Sequence, residues 1–378
     1  MPTAVVPVVQ APPAPHQLTA ESPQFFRLPN QAPGKTPIRV GLILPFAESS
    51  ANARALAGAM MKAAELALYD AGNPDIVLMT ADDTGSPGDA AAAAQKLLDQ
   101  GAEIILGPLF SASVAAVAPL ARDHGVPVLA FSTDRNVAGN GVYLLSFQPQ
   151  SEVKRVISYA ASQGYKNFAA MIPQTPYGDV VEQSFRDAVS ASGAAVADVE
   201  RFNPSAGAVM DQAAAVAKSG CDALFIAQGG QTLRGIAPTL SYDGVQSSKV
   251  KFLGTGLWND PANSREDLLA GGWFSAPQPS ADNAFGVKYR QTFGGEPPQL
   301  AALAYDAVSL VALLAPGVAY HRFTPAALTD PNGFTGVNGI FRFHPDGSIE
   351  HGLAVLAVEP GGFTVVSPAP ITFQSSGS

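Results

Sequence analysis

Patterns typical of buried strands alternate with amphipathic helix patterns along this chain, and this alternation restricts its fold more than any other feature. The run Ile38–Pro45 is almost entirely apolar and ends at proline, which is typical of a strand buried on both faces of a parallel sheet. From Ala51 to Ala71, apolar residues recur at three- and four-residue steps, as in a helix packed on such a sheet. Strands that alternate with helices predict right-handed βαβ units and a doubly wound α/β sheet.

The alternation forms two similar series. The first continues with strands at 76–80, 103–106 and 127–131 and helices at 87–99 and 111–123. The second begins after Tyr143–Phe147, with helices at 152–162, 179–192 and 208–219 and strands at 168–172, 195–202, 223–227 and 250–254. A chain of 378 residues also exceeds what one hydrophobic core usually supports. We therefore predict two lobes in tandem.

Composition and charge exclude several classes of function. The formal net charge is -9 and no run of Lys or Arg concentrates positive charge, so nucleic acid is not an expected partner. No apolar stretch reaches the ~20 residues of a membrane-spanning helix. The lone Cys221 is expected to be a small buried side chain rather than a metal ligand. The five histidines show no ligand-type spacing, so no metal site is predicted. We expect all five at the surface: His16, His124, His321, His344 and His351.

The first 36 residues are rich in proline, which predicts a semi-extended flexible tether. Met1–Gln10 lacks the basic start, continuous apolar segment and cleavage site of a secretory signal. This segment by itself therefore does not indicate export.

The predicted ligand site follows from the topology, because doubly wound sheets bind ligands at the carboxyl ends of their strands. The loops at these ends are 45–50, 107–113, 131–134, 173–178, 228–231 and 254–260. The residues that we expect to contact a ligand are Phe46, Ser111, Ala112, Ser113, Ser132, Thr133, Asp134, Tyr177, Gly229 and Trp258.

Several of these residues have a second explanation. Ser111 and Ser113 stand at a helix start, where their hydroxyls and the free N–H groups can bind a carboxylate or serve as N-caps. Tyr177 is either a ring that closes over a ligand or a core residue, and Trp258 is either a wall of the cleft or a lid on the core of its own lobe.

No catalytic constellation is present. The chain has no G-x-S-x-G elbow, no phosphate loop of the G-x-x-x-x-G-K-[ST] type and no H-E-x-x-H. Gly254-Thr-Gly lacks the third glycine of a dinucleotide fingerprint, and Asp82-Asp83 is explained by the turn that follows it. We expect no enzymatic activity, no catalytic residues and no cofactor.

At the predicted loops the chain resembles the type I periplasmic binding protein superfamily. The resemblance runs from about Ile38 to Val366, to leucine/isoleucine/valine receptors and, more closely, to penicillin-binding protein activators. The segments that carry it are Val40–Pro45, Gly58–Ala64, Ile105–Leu109, Val126–Ser132, Tyr177-Gly178, Phe252–Gly256 and Gly339–Ser348.

The resemblance implies two Rossmann-like doubly wound lobes joined by a hinge of three crossovers, near 147–151, 276–279 and 333–338. It places lobe 1 at 37–149 plus 278–335 and lobe 2 at 150–277 plus 336–368, with 1–36 as the tether and 369–378 as a disordered tail. It further implies a small molecule in an interlobe cleft that closes about the hinge.

One departure from the family pattern affects the expected ligand. Amino-acid receptors of the family hold the ligand ammonium with acidic residues, and the matching positions here are Gln150 and Gly256. Neither can offset the desolvation of an ammonium group, so we expect free leucine, isoleucine and valine not to bind with receptor-like affinity. Glu48, Asp134 and Asp179 are the acidic residues near strand ends that could take over the role of the missing acids.

Two functions follow from the resemblance. The first is a penicillin-binding protein activator-like regulator of peptidoglycan synthesis, a lipoprotein of the cell envelope that docks on a peptidoglycan synthase. The second is a periplasmic receptor that delivers an amino-acid-like or other small amphipathic ligand to an ABC permease for amino acid transport. Either function implies a periplasmic location, with membrane contact only through a processed lipid anchor.

Overall fold

A computed structural model describes residues 25–29, 35–205, 209–279 and 284–374 of the chain. The chain divides into two compact units. Unit 1 comprises Met1–Leu145 and Ala281–Ala327, and unit 2 comprises Ser146–Ser280 and Leu328–Ser378. Each unit is therefore built from two separate stretches of sequence.

The first stretch of unit 1 alternates strands and helices as the sequence predicts. Its elements are β1 (Phe25–Phe26), β2 (Ile38–Leu44), α1 (Ala51–Ala71), β3 (Ile76–Asp82), α2 (Pro87–Asp99), β4 (Ile104–Leu106), α3 (Ser111–Asp123), β5 (Val128–Ala130) and β6 (Val142–Leu144). The six strands form one sheet in the order β1-β3-β2-β4-β5-β6. All neighbours in it pair in parallel except β1, which is antiparallel to β3.

The first stretch of unit 2 repeats this arrangement. Its elements are α4 (Pro149–Ser162), β7 (Asn167–Pro173), α5 (Pro176–Ala191), β8 (Ala195–Phe202), α6 (Met210–Lys218), β9 (Ala223–Ile226), α7 (Gly230–Tyr242), β10 (Lys251–Gly254) and β11 (Trp273–Ala276). Strands β8, β7, β9, β10 and β11 pair in parallel in that spatial order.

The remaining elements complete both units. Helices α8 (Ala284–Phe293) and α9 (Ala301–Leu314) belong to unit 1, and the short α10 (Pro325–Leu328) spans the boundary between the two units. Unit 2 then adds β12 (Phe334–Gly336), β13 (Gly339–Phe343), β14 (Ile349–His351), β15 (Ala354–Glu359) and β16 (Gly362–Ser367). β15 joins the parallel strands of unit 2 antiparallel to β11, and β16 pairs antiparallel with β15 at the edge of the same sheet. Strands β12, β13 and β14 form a separate antiparallel sheet.

Strand β7 shows why the parallel strands appear as nearly continuous apolar runs. Ala169 and Met171 point into one core cluster of unit 2, which also contains residues of α6 and α7. Phe168, Ala170 and Ile172 point into the cluster on the other face, with residues of α4 and α5. Both faces of the strand are buried, so successive residues are all apolar.

Several local expectations differ from the structure. Helix α7 lies between two strands for which the sequence analysis predicted no intervening helix; its apolar spacing is interrupted by Gly235 and Pro238. Within the expected tether, β1 pairs with β3. Within the expected disordered tail, the N–H of Ala369 donates to Gln278 and the side chain of Gln374 donates to Asn332. Residues 1–24, 30–34 and 375–378 of these two segments lie outside the described residues, and the lobe boundaries stay predictions.

The backbone turn after β4 requires glycine at position 107. Gly107 has a φ of +88°, and a Cβ there would lie 2.1 Å from the carbonyl oxygen of Ile43. Gly125 has a φ of +67° with no atom near an added Cβ, and it serves as the control. We expect Gly125→Ala to lower the free energy of unfolding by about 1 kcal/mol through backbone strain alone.

Gly107→Ala should cost about 1–3 kcal/mol more than this, because it adds a steric clash to the strain. Denaturant unfolding of both variants measures the difference. Equal losses in the two variants would show that the turn after β4 relaxes around the methyl group.

Candidate functional site

The carboxyl edge of the sheet in unit 1 contains a topological switch point. From β2 the chain moves to β3 on one side and then to β4 on the other side. The loops that leave β2 and β4 therefore diverge at this edge, which is where open α/β sheets bind ligands. Phe46 lies in the first of these loops and is partly exposed, and Ser111 lies at the end of the second.

Helix α3 begins at this switch point without a side-chain cap. Its N-cap residue is Phe110, which has no group that can accept a hydrogen bond from the helix. Among the described residues, the N–H groups of Ser111, Ala112 and Ser113 have no hydrogen-bond partner. The helices that begin after β2 and β3, by contrast, are capped by Ser50 and Ser86. The first turn of α3 thus presents free donors and the positive end of its dipole.

The two serines of α3 differ in accessibility. Ser111 is partly exposed, whereas Ser113 is fully buried and its Oγ has no hydrogen-bond partner. Neither hydroxyl forms the capping bond that the sequence analysis kept as an alternative. Their role in ligand binding stays a prediction.

A buried carboxyl group lies beside Ser113. Asp83 is fully buried, and burial raises its pKa, while the nearby Ser113 hydroxyl and the N–H of Gly85 offset part of that rise. Oδ1 of Asp83 accepts from the Gly85 N–H at 3.2 Å, but Oδ2 and the Ser113 Oγ do not reach ordinary hydrogen-bond geometry with each other. A buried polar pair with unfilled hydrogen-bonding capacity is costly and is common at functional sites.

The loop after β5 holds the other predicted contacts of unit 1. Ser132 is buried and its Oγ accepts the N–H of Asp134 at 3.1 Å. The carboxylate of Asp134 accepts the backbone N–H and side-chain amide of Asn136 at 3.0 and 2.9 Å. Thr133 is exposed between them. Asp134 is therefore occupied in a local turn.

Unit 2 has its own switch point, between β7 and β9. Tyr177 lies in the first turn of α5, and its hydroxyl is 3.1 Å from Oγ1 of Thr255 in the loop after β10. Gly229, the N-cap of α7, lies so close to that loop that a Cβ would be 2.5 Å from the carbonyl oxygen of Leu257. Loops that follow three different strands are thereby brought together at one edge.

Trp258 takes the second of its two expected placements. Its side chain is fully buried in a core cluster of unit 2, and Nε1 donates to the carbonyl of Ile226 at 3.3 Å. The ring packs over Gly254, where a Cβ would lie 2.3 Å from its atoms. The indole forms part of the core beneath the loop.

One acidic residue at this edge, Glu152, was not among the predicted ligand contacts. Glu152 lies in the first turn of α4, and its Oε2 accepts the N–H of Gly256 at 3.2 Å. The side chain is partly exposed but densely surrounded by protein, and this burial raises its pKa to about 7. A carboxyl group with such a pKa at a strand-end loop is a candidate for ligand binding.

The acidic residues proposed from sequence have other partners. Asp179 is ion-paired with Arg201 at 2.6 Å, and Glu48 accepts hydrogen bonds from Ser49 and Ser50. Because Asp134 is also occupied, Glu152 is better placed than any of the three. The sequence shows a glycine at position 256 and an acid at the start of α4. The two positions are 104 residues apart, and nothing in the sequence alone indicates that they are in contact.

Metal-binding clusters and membrane-spanning helices are both absent from the described residues. The described part of the chain contains no cluster of three or more His, Cys, Asp or Glu side chains able to hold a metal ion. No helix there is long and apolar enough to cross a membrane.

The expectation of surface histidines is wrong for His351. This residue is buried beside Phe147 and Phe341, and burial lowers its pKa to about 4. Cys221 packs against a core of unit 2 and is partly exposed.

Comparison with known families agrees with this architecture. The family model described as periplasmic binding protein matches residues 37–362. The chain belongs to the periplasmic binding protein family.

Solved structures share the fold of this family member. A putative branched-chain amino acid ABC transporter protein from Rhodospirillum rubrum is 21% identical, with a TM-score of 0.78 over 87% of this chain and 100% of that chain. A solute binding protein of Rhodopseudomonas palustris, solved with 3,4-dihydroxybenzoic acid, is 18% identical, with a TM-score of 0.63 over 89% and 97% of the two chains. A leucine binding protein from Thermotoga maritima is 19% identical, with a TM-score of 0.62 over 88% and 98%.

A relative found by sequence matches only part of the chain. It is an uncharacterized protein from Rickettsia prowazekii, 24% identical over 117 residues. The match covers 30% of this chain and 31% of that protein. Only the solved structures described above can therefore be compared with this chain over most of its length.

The raised pKa of Glu152 predicts a pH-dependent stability. The folded state holds the Glu152 proton more tightly than the unfolded chain, so the contribution of Glu152 to stability is greatest below its unfolded pKa. That contribution is lost as the pH rises through about 7. Glu152→Gln removes this titration, so the ligand-free variant should lose less stability than the unsubstituted protein between about pH 4 and pH 8.

Urea unfolding across this pH range measures the effect. Asp179→Asn is the control, because it removes an acid of the same unit that is exposed and already ion-paired. A Glu152→Gln profile parallel to that of the unsubstituted protein would contradict the prediction.

Proposed function

We propose that this protein is a non-enzymatic, periplasmic substrate-binding protein of an ABC uptake system, and that it binds a small ligand carrying a carboxylate. The family assignment and the names of the structural neighbours support the transport function. They favour it over a regulator of peptidoglycan synthesis, because the neighbours described above are named as transporter binding proteins. An ABC permease is the corresponding protein partner.

The observation that carries this proposal is the uncapped start of α3. Three backbone N–H groups without partners converge there with the partly exposed Ser111 hydroxyl. Such a helix N-terminus binds anions through its free donors and its dipole. A ligand carboxylate would supply the acceptors that the helix lacks.

The ligands named for two neighbours agree with this chemistry. 3,4-Dihydroxybenzoic acid and leucine differ in their apolar parts, but both carry a carboxylate. A carboxylate site with variable surroundings would accommodate either kind of ligand. For this chain, a carboxylate at the first turn of α3 is accordingly the common element of the proposed ligands.

Replacement of both α3 serines tests the assigned contacts. The double variant Ser111→Ala with Ser113→Ala should weaken binding by about 10-fold or more, because each lost hydrogen bond to a charged group typically contributes ~1.5–3 kcal/mol. Since neither hydroxyl caps the helix, the melting temperature of the ligand-free variant should stay close to that of the unsubstituted protein.

The probes are the twenty amino acids and a set of aromatic carboxylates that includes 3,4-dihydroxybenzoic acid, screened by thermal shift and titrated by calorimetry. Ser184→Ala is the control, a hydroxyl on α5 that donates only to the carbonyl of Val180. Unchanged affinity in the double variant would refute the contacts, and no binding by any carboxylate would refute the proposed function.

A further inference from the structure

A cavity of about 480 Å³ lies within unit 1, at the amino ends of β4, β5 and β6. Three of the residues that line it each directly precede one of these strands: Glu103, Pro127 and Gly141. Because the strands pair in parallel, this edge of the sheet is opposite to the carboxyl edge described above. The volume is typical of small-molecule sites, which measure ~300–1,000 Å³. Unit 1 therefore has a second concave surface, remote from the first turn of α3.

The lining of this cavity combines aromatic rings with basic side chains. The rings belong to Tyr143, Tyr320 and Phe323, and the basic groups to Arg122, His124 and His321. Two of the rings are buried, whereas the third ring and all three basic residues are exposed. The cavity thus has an apolar interior and a basic rim.

The charge of the rim is not compensated from within the protein. Glu103 is the one acidic residue among the described residues that line the cavity, and Arg322 donates to both of its carboxylate oxygens, at 2.9 and 2.6 Å. This pair is buried and its charges cancel. The guanidinium of Arg122 forms no ion pair with any described residue. The net charge around the cavity is therefore positive and suits an anion.

Compensation of the helix dipole is a simpler role for the basic groups, because Arg122 and His124 lie at the carboxyl end of α3. The carbonyl oxygens of Leu120, Ala121 and Arg122 already accept backbone N–H groups there. The ring of His124 adds a bond from Nδ1 to the Leu120 carbonyl oxygen at 2.9 Å. The end of the helix is thus satisfied without the Arg122 guanidinium, which stays available for a ligand.

Backbone strain gives independent evidence that this edge is built for a purpose. Only three non-glycine residues in the described part of the chain have a positive φ, and two of them, Asn140 at +50° and Tyr320 at +60°, line this cavity. Asparagine adopts this conformation readily, but for a bulky residue such as tyrosine it is strained. The buried Glu103 carboxylate holds the strained residue by accepting its N–H at 2.8 Å. The fold thereby presents an exposed aromatic ring beside the basic rim at a cost in stability.

The rings and the bases together define a class of ligand. A phosphate monoester carries a charge of about −1.5 to −2 at pH 7 and three acceptor oxygens, which suit one guanidinium and two imidazole groups better than a single carboxylate does. Arginine binds phosphate through two parallel hydrogen bonds, and a protonated histidine donates through both ring nitrogens. A planar ring joined to the phosphate would pack against the aromatic walls.

We propose that the amino edge of the unit 1 sheet is a second binding site, for a small aromatic phosphate monoester. The basic rim of Arg122, His124 and His321 receives the phosphate, and Tyr320 contacts the ring. This site goes beyond the proposed function and does not depend on the carboxylate ligand assigned to α3.

Matched probes give the first part of the test. Calorimetry compares phenyl phosphate, 1-naphthyl phosphate and adenosine 5′-monophosphate with phenol, 1-naphthol and adenosine, with benzoate and 1-naphthoate, and with inorganic phosphate. At least one aromatic phosphate should bind about 10-fold or more tightly than its counterpart without the phosphate, because hydrogen bonds to a charged group are lost with that group. It should also bind more tightly than inorganic phosphate, which lacks the ring.

Substitutions at the rim give the second part. Arg122→Gln should weaken the binding of that phosphate by about 10-fold or more. Arg290→Gln is the control, because it removes an equal charge of unit 1 that Glu296 already neutralises.

Substitutions of the strained tyrosine separate a ligand contact from a structural role. Tyr320→Phe keeps the ring and should bind as the unsubstituted protein does. Tyr320→Gly should weaken binding without lowering the melting temperature of the ligand-free protein, because glycine adopts the positive φ readily and the lost ring is exposed. A residue that served only to stabilise the fold would show the opposite combination.

The double α3 variant, Ser111→Ala with Ser113→Ala, distinguishes the two edges of the sheet. It should bind the aromatic phosphate with unchanged affinity, and a loss there would place the phosphate at α3 and overturn this site. Equal affinity in Arg122→Gln and the unsubstituted protein would overturn it as well. Equally tight binding of the matched carboxylate would overturn the phosphate class, and binding of none of the aromatic phosphates would overturn the whole inference. None of these results bears on carboxylate binding at α3, which has its own test.

Discussion

Parallel pairing of the central strands is the constraint on which the rest of each unit depends. It directs the carboxyl ends of β2, β4 and β5 to one edge in unit 1, and those of β7, β9 and β10 to one edge in unit 2. The helices that follow begin at the same edges, so their free N–H groups gather there. Residues far apart in sequence are thereby collected without any long-range motif. Both candidate sites are consequences of this topology rather than additions to it.

Glycine sets how closely the loops at these edges can approach each other. Gly178 starts α5 so close to β7 that a Cβ would lie 1.9 Å from the carbonyl oxygen of Pro173, and Gly256 leaves the space that Glu152 occupies. Neither has a positive φ, so the requirement comes from close approach and not from backbone conformation. A glycine at a strand-end loop therefore marks a contact, and the identity of the contacting group decides what the loop can bind.

The sequence predicted the fold better than the site. Buried strands such as β7 are apolar on both faces, and α1 has regular apolar spacing, so their bounds were predicted to within a few residues. Helix α7 was missed because Gly235 and Pro238 interrupt its pattern. The α3 serines could be found from their position after a strand, but Glu152 could not. Its proximity to Gly256 depends on the packing of α4 beside β10, and no local pattern records the contact.

Polar groups with unfilled hydrogen-bonding capacity at the strand-end edges oppose folding. In unit 1 the first turn of α3 has donors without acceptors, and Asp83 is buried with an unpartnered oxygen. In unit 2 no Lys, Arg or His of the described residues forms an ion pair with the Glu152 carboxylate, and burial raises the pKa of that group. Each feature costs stability in the absence of a ligand, since buried polar groups without partners retain their desolvation penalty. A ligand that supplies hydrogen-bond acceptors to the first turn of α3 would remove the cost there on binding, so part of the binding free energy would come from relief of this instability. Substitutions that relieve the instability would accordingly be expected to weaken binding, which is the usual trade-off between stability and function at such sites.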